Sequence, residues 1–170
     1  MNKVEFGLSD CYYSVYKNGA YQPPVKLPGA VSLELSSGSS ISTAKNKFYT
    51  VPVGRTIGGY SGTLEIANIP QAFFQDVFGC SVDSNGVVIE KIQKNRVHFA
   101  LLHQTKGSAE NIRYCWYNCC CADADFIKSQ SLASVKIPII IANNKSGIIR
   151  AFATESNPKY SSWFDEVYQS

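Results

Sequence analysis

The hydrophobic pattern is clearest between Gly58 and Glu90. Gly58-Gly59-Tyr60-Ser61-Gly62 reads as a Gly-rich turn leading into the alternating run Thr63-Leu64-Glu65-Ile66-Ala67-Asn68-Ile69. On a strand, Leu64, Ile66 and Asn68 share one face, and Thr63, Glu65, Ala67 and Ile69 share the other. At Pro70 the period changes. Phe73, Phe74, Val77 and Phe78 make the apolar stripe of a short helix over 70–78. Pro70 suits its first turn, where a missing N–H is no loss, and Gly79 suits a left-handed end. Asp83-Ser84-Asn85-Gly86 is turn chemistry, and Val87-Val88-Ile89 opens another strand.

Strand patterns surround this helix. Cys11–Tyr16 runs into Asn18-Gly19, a hairpin signal. Tyr21–Gly29 holds three prolines, which exclude a central strand. In Ala30–Leu35, Val31, Leu33 and Leu35 fall on one side, with Ser32 and Glu34 on the other. The Gly- and Ser-rich stretch Ser36–Gly62 predicts a long hairpin projecting from the body, because a loop of that length in a compact domain has a function or awaits a partner. Arg96–Gln104 carries Phe99, Leu101 and His103 on one face, and Lys106-Gly107-Ser108 turns it back. In the next strand, 112–121, Ile112, Tyr114, Trp116 and Asn118 share one face, and Arg113, Cys115, Tyr117 and Cys119 the other. Ala122–Ser131 is a connection. Ser134–Ala142 is a strand in which Pro138 argues for an edge or bulge. Asn143–Gly147 turns it into a last strand, 148–153. Residues 155–170 form a terminal arm or helix, with Tyr160, Trp163, Phe164 and Val167 at helical spacing and Asn157 as its N-cap. The reading is a single mainly β domain spanning 1–170: a β-sandwich or open barrel of two packed antiparallel sheets, with one flanking helix.

Composition narrows the partners. Charged residues are 17% of the chain, below the usual level of about 25%. Ten Tyr and nine Phe favour strands and suggest a surface partly covered by other subunits. A net charge of +3 with no basic run gives no footprint for sequence-specific nucleic-acid binding. No apolar run reaches the ~18 residues a membrane helix needs. The first residues lack the apolar core of a signal peptide, so the expected site of synthesis is a cytoplasm. There the six cysteines are expected to be buried, reduced thiols.

Catalytic and metal chemistry find little support. His98 and His103 are an odd number of residues apart on one strand and so face opposite sides. Cys115 and Cys119 share a face but lack the tight turn of a zinc-binding pair. Gly54–Gly59 has glycines but neither the lysine-serine pair nor the helix of a phosphate loop. Asp123 and Asp125 read as a solvated loop, and Asp83–Gly86 lacks the closing acid of a calcium loop. No cofactor, metal or catalytic residue is expected.

Several pieces in order resemble phage major tail proteins of long, non-contractile tails. They are Lys26-Leu27-Pro28-Gly29-Ala30-Val31-Ser32-Leu33, Asn46-Lys47-Phe48-Tyr49, Gly59–Pro70, Phe74–Gly79, Asp83–Glu90, Phe99–Leu102, Arg113-Tyr114 with Tyr117-Asn118-Cys119, and Trp163–Tyr168. Cys115 and Cys119–Cys121 depart from that pattern. The resemblance implies a structural virion protein, made in the host cytoplasm and located in the tail. Six copies form a ring, and rings stack into a hollow tube that carries ejected double-stranded DNA without sequence-specific binding. The implied partners are further copies, a tape measure protein, and tail initiator and terminator proteins. Ring closure would pair every exposed sheet edge. The hairpin and the termini would be inter-ring arms, with Lys45, Lys47, Phe48, Tyr49 and Arg55 as candidate contacts. Ser32, Glu34, Thr63 and Glu65 are candidates for the lumen wall; plain solvent exposure fits the same alternation. Three rival readings differ: a tube protein of a contractile tail, bacteriocin particle or secretion system; a ligand-binding β-sandwich with Trp116 and Trp163 exposed; and a metal-thiolate enzyme using Cys115, Cys119 and a histidine.

Overall fold

The computed structural model describes residues 3–45, 50–91, 95–106, 109–121 and 134–169. The expected connection 122–131 with Asp123 and Asp125, the residues Lys47, Phe48 and Tyr49, and the turn residue Gly107 lie outside them. The described chain is mainly β. In order it runs β1 (Lys3–Gly7), β2 (Asp10–Lys17), β3 (Ala20–Tyr21), β4 (Val25–Lys26), β5 (Ala30–Lys45), β6 (Thr50–Ile66), α1 (Gln71–Phe78), β7 (Ser81–Val82), β8 (Val88–Ile89), β9 (Phe99–Lys106), β10 (Asn111–Cys121), β11 (Val135–Ile141) and β12 (Arg150–Thr154). Ten strands form one antiparallel sheet in the order β1-β5-β6-β11-β10-β9-β2-β3, with β12 on β10 and β4 on β2; β7 and β8 make a separate hairpin.

This sheet folds into two layers and closes. One layer is β1, β5, β6 and β11. The other is β10, β9 and β2 with the short strands. Closure falls on the segment 3–17, whose first half pairs with β5 and second half with β9. At its bend the Leu8 N–H donates to Val31 O and the Ser9 N–H to Gln104 O, each at 3.0 Å. The core between the layers takes Leu33, Leu35, Leu64, Ile66, Ile137, Ile139 and Ile141 from one side, and Tyr13, Phe99, Leu101, Trp116 and Cys119 from the other.

The helix packs against this core. Phe73, Phe74, Val77 and Phe78 are all buried, which is worth roughly 2 kcal/mol for each side chain. Phe73 meets Tyr13 edge-on at 4.9 Å and Phe99 at 6.1 Å. Tyr13 also donates a 2.7 Å hydrogen bond to Asp76. Pro70 sits at the N-cap and Gly79 ends the helix at φ 62°.

Two bulges re-aim side chains. Ala30 pairs with Ile66 and Ser32 with Glu65, so one residue, Val31, is extra. Val31 was expected beside Leu33 and Leu35, but it is 46% exposed. The second bulge lies between Trp116 and Cys119, where Asn118 adopts φ 48°. Cys119 therefore joins Trp116 in the inter-layer core, whereas Cys115 and Tyr117 face the opposite side of the sheet. That corrects the expected alternation of 112–119, and Cys115 and Cys119 do not share a face.

The opposite face of β9 and β10 is covered by the last residues. Trp163 and Val167 pack on Ala100, Leu102, Cys115, Tyr117 and Ala153. The segment is a docked tail of successive turns: Tyr160 N–H bonds Asn157 O, Trp163 N–H bonds Tyr160 O, and Asp165 N–H bonds Ser162 O. Arg113 holds it in place, with its guanidinium 4.0 Å from the Tyr160 ring centroid and 4.6 Å from that of Phe164. At Pro138 the described pairing of β11 is with β6 alone, since β10 pairs only with Ile139–Ile141. The ladder there loses no described bond to the missing N–H.

The Gly-rich segment is not a turn. It lies within β6, where neighbouring backbones approach too closely for side chains. A Cβ at Gly62 would sit 1.8 Å from Glu34 O, and one at Gly59 (φ +84°) would sit 2.1 Å from Ile141 O. Gly62→Ala should therefore cost about 3 kcal/mol in chemical denaturation. Gly7→Ala, with nothing within 4 Å, should stay within about 0.5 kcal/mol of wild type.

Candidate assembly surfaces

The outward face of the first layer is polar, and its rows follow from strand register. Glu5, Glu34, Thr63 and Pro138 stand opposite one another across β1, β5, β6 and β11. The next row is Gly7, Ser32, Glu65 and Lys136. The four candidates for a lumen wall thus form two cross-strand pairs on one face, Ser32 with Glu65 and Glu34 with Thr63. Ser32 is nearly buried at 8% exposure, its hydroxyl 3.4 Å from Glu65 Oε2. Ser134 donates to Glu65 Oε1 at 2.6 Å. Glu65 is thus held by two hydroxyls, and its carboxylate is fixed in place. The sequence pattern missed Glu5, which reaches this face because Val4 and Phe6 alternate with it on β1. Glu5 directly opposite Glu34 is a like-charge pair, unfavourable for an isolated sheet.

A second surface is the hairpin of β5 and β6. The pairing of β1 to β5 ends at Lys3 with Ser36, and that of β11 to β6 ends at Tyr60 with Ile141. Beyond those points β5 and β6 pair only with each other, from Ser39 opposite Ile57 to Lys45 opposite Thr50. The ribbon carries Lys45 at its far end and Arg55 opposite Ile41 along its length. Both of its edges are without a described strand partner, and a lone two-stranded ribbon is marginal in water.

The histidines and cysteines lie elsewhere. His98 is exposed and precedes β9, whereas His103 is completely buried. The two histidines therefore do not lie on one strand. Trp116 Nε1 donates to His103 Nε2 at 3.0 Å, and the ring stacks on Tyr114 at 5.2 Å. Burial pushes the His103 pKa down to about 3, so the ring is neutral at ordinary pH and, held among aromatic side chains, is out of a substrate's reach. All six cysteines are free thiols. Burial pushes Cys11, Cys115 and Cys121 up to about 12, and Cys119 well up. A thiol in that state is neither a nucleophile nor a ready metal ligand. Among the described residues no group of three or more His, Cys, Asp or Glu is placed to hold a metal ion. The Gly86 N–H donates to Asp83 O at 3.0 Å, closing Asp83–Gly86 as a β-turn, and the Asp83 carboxylate accepts the N–H groups of Val87 and Asn85 at 2.9 and 2.8 Å, which lowers its pKa. No described helix is long and apolar enough to cross a membrane.

Protein-family models give no match to this chain, and a search of curated proteins gives none either. Among the described residues the structure establishes a mainly β, two-layered fold with one helix.

Two measurements test this account of the buried groups. His103 has a folded pKa near 3 and an unfolded one near 6.5. The unfolded chain therefore binds a proton that the folded chain refuses. Stability should be level above pH ~6.5 and fall by ~1.4 kcal/mol per unit as pH drops towards 3. Between pH 7 and 5 the loss is about 2 kcal/mol; denaturant titrations at both values should show it, and His103→Gln should abolish it. In the native protein Cys11, Cys115 and Cys119 should react with a thiol reagent at least ~100-fold more slowly than in guanidinium. Mass mapping of early label on those three would overturn the assignment.

Proposed function

We propose that this chain is a structural subunit of a phage tail tube, one that closes into hexameric rings and stacks into a hollow conduit for ejected DNA. The observation that carries the reading is the β5–β6 ribbon: a two-layered body extends a paired hairpin whose edges have no described strand partner. Cyclic, head-to-tail contacts between copies would supply those strands, and rings with free ribbons would go on stacking. Lys45 and Arg55, with Lys47, Phe48 and Tyr49, would then contact the next ring. Tail initiator, terminator and tape measure proteins would set where the stack starts and stops.

The polar face supports the same reading. Passing DNA needs a wall that does not hold phosphates, since each Lys or Arg contact adds salt-sensitive affinity. Across these rows three carboxylates, Glu5, Glu34 and Glu65, outnumber the one lysine, Lys136, and the hydroxyls of Ser32 and Thr63 lie among them, so the balance of charge on the face is acidic. The ligand-binding sandwich reading is disfavoured in the form that used its tryptophans, because Trp116 and Trp163 are 1% and 4% exposed. The metal-thiolate reading is disfavoured by the split of Cys115 and Cys119 between two faces.

Negative-stain electron microscopy of concentrated protein, alone and with a tail initiator complex, should show rings or tubes with a central hole. Replacing Ser39–Gly58 by Asn-Gly should leave a folded monomer with native circular dichroism that forms no tubes. Tubes of normal length from that variant would sink the role given to the ribbon. Glu5, Glu34 or Glu65 on the outside of an imaged tube would sink the lumen assignment.

A further inference from the structure

A cleft of about 470 Å³ opens between the β2–β3 hairpin, the bulge of β10, the turn 143–147 and the end of the docked tail. None of its lining residues comes from β5 or β6, so it is separate from both the ribbon and the polar wall. Its size falls in the usual range for small-ligand sites, about 300–1,000 Å³.

The bulge builds the site. Asn118, turned to φ 48°, donates its backbone N–H to the Tyr21 hydroxyl at 3.2 Å and its side-chain amide to Asn143 O at 2.8 Å. That ties β10, β3 and the turn together. Tyr117 belongs to the floor, and its hydroxyl donates to Tyr168 O at 2.5 Å. Tyr16 and Tyr21 meet at 5.0 Å and 67°, and Tyr21 and Tyr117 at 6.2 Å and 54°. Three rings are therefore held at successive tilts, each fixed by a partner within the protein. Tyr21, an acceptor from Asn118, keeps its own hydroxyl hydrogen to donate. Lys145 holds its ammonium 5.9 Å from the Tyr16 ring centroid, and His98 also lines the cleft. No carboxylate is among the described lining residues.

These features define a ligand class. Tilted phenol rings receive an apolar C–H face, phenol and amide edges receive hydroxyls, and an ammonium with no carboxylate among the described lining residues receives an anion. A sugar ring bearing a carboxylate offers all three. We propose that this cleft binds a short acidic saccharide, with a ring against Tyr16 and Tyr21 and its carboxylate towards Lys145. This site is independent of the tube reading: it acts in a single copy and uses neither the β5–β6 ribbon nor the polar face.

The test is titration calorimetry and saturation-transfer NMR on the full chain, with a galacturonic acid trisaccharide and its neutral galactose counterpart as probes. The acidic probe should bind with Kd near or below ~1 mM, and the neutral one about tenfold more weakly. Lys145→Gln changes an exposed side chain and should leave stability unchanged while bringing the two probes within about twofold of each other. Tyr16→Ala should weaken both by roughly tenfold, the worth of one aromatic contact. Absence of binding by either probe up to ~10 mM would overturn the proposal. So would acidic-probe affinity that Lys145→Gln leaves intact. Tube formation by Lys145→Gln should match wild type, so the two proposals fail separately.

Discussion

Closure of the sheet at Leu8-Ser9 is the constraint on which the rest of the fold depends. The segment 3–17 must serve two strands at once, β5 with its first half and β9 with its second. The bend keeps both hydrogen-bond ladders running, so β1 and β2 join the two layers along this side of the sheet. The interior between the layers is then sealed from water, and burial of Leu, Ile and aromatic side chains supplies the driving force. The helix covers this core with four apolar side chains, and the Tyr13–Asp76 hydrogen bond fixes its position on β2. Burial of the phenol and its acidic partner both push the Tyr13 pKa up, so the bond keeps its proton across the ordinary pH range.

That closed body makes the β5–β6 ribbon stand out. Within the described residues β2, β5, β6, β9 and β10 have strand neighbours on both sides in the body, whereas the outer part of the ribbon has none beyond its own hairpin. Backbone groups on such edges are either solvated or paired by another chain. The glycines at 59 and 62 lie where β6 leaves the body, and they let β5, β6 and β11 approach more closely than side chains would permit. The residues that give β6 its tight neighbours also set the point at which the ribbon departs.

Function is read here from surfaces and not from a reactive centre. Cys11, Cys115, Cys119 and His103 are buried, and burial holds them in their neutral forms. The side chains left on display are charged, hydroxyl and amide groups with some apolar ones, Phe152 and Val87 among them. Such groups suit recognition, solvation and subunit contact.

The sequence by itself determined the elements whose signals are local. The helix was legible from the spacing of its four apolar residues and from Pro70 and Gly79, because periodicity and end chemistry act within a few residues. The inward set Leu33, Leu35, Leu64 and Ile66 was legible from alternation, as was the polar set Ser32, Glu34, Thr63 and Glu65. Tertiary structure alone decided the rest. Alternation cannot count past an inserted residue, so the bulges moved Val31 outward and Cys119 inward. Gly59 and Gly62 read as turn residues because a close approach of distant backbones leaves no local trace. The tail carried a helical spacing, yet it docks as turns because Trp163, Val167 and the Arg113 contacts hold it to the sheet. Glu5 joined the polar face, and Asn118 opened the tyrosine cleft, through pairings between residues far apart in the chain. Such pairings are fixed by the closure of the sheet, which no short window of sequence contains.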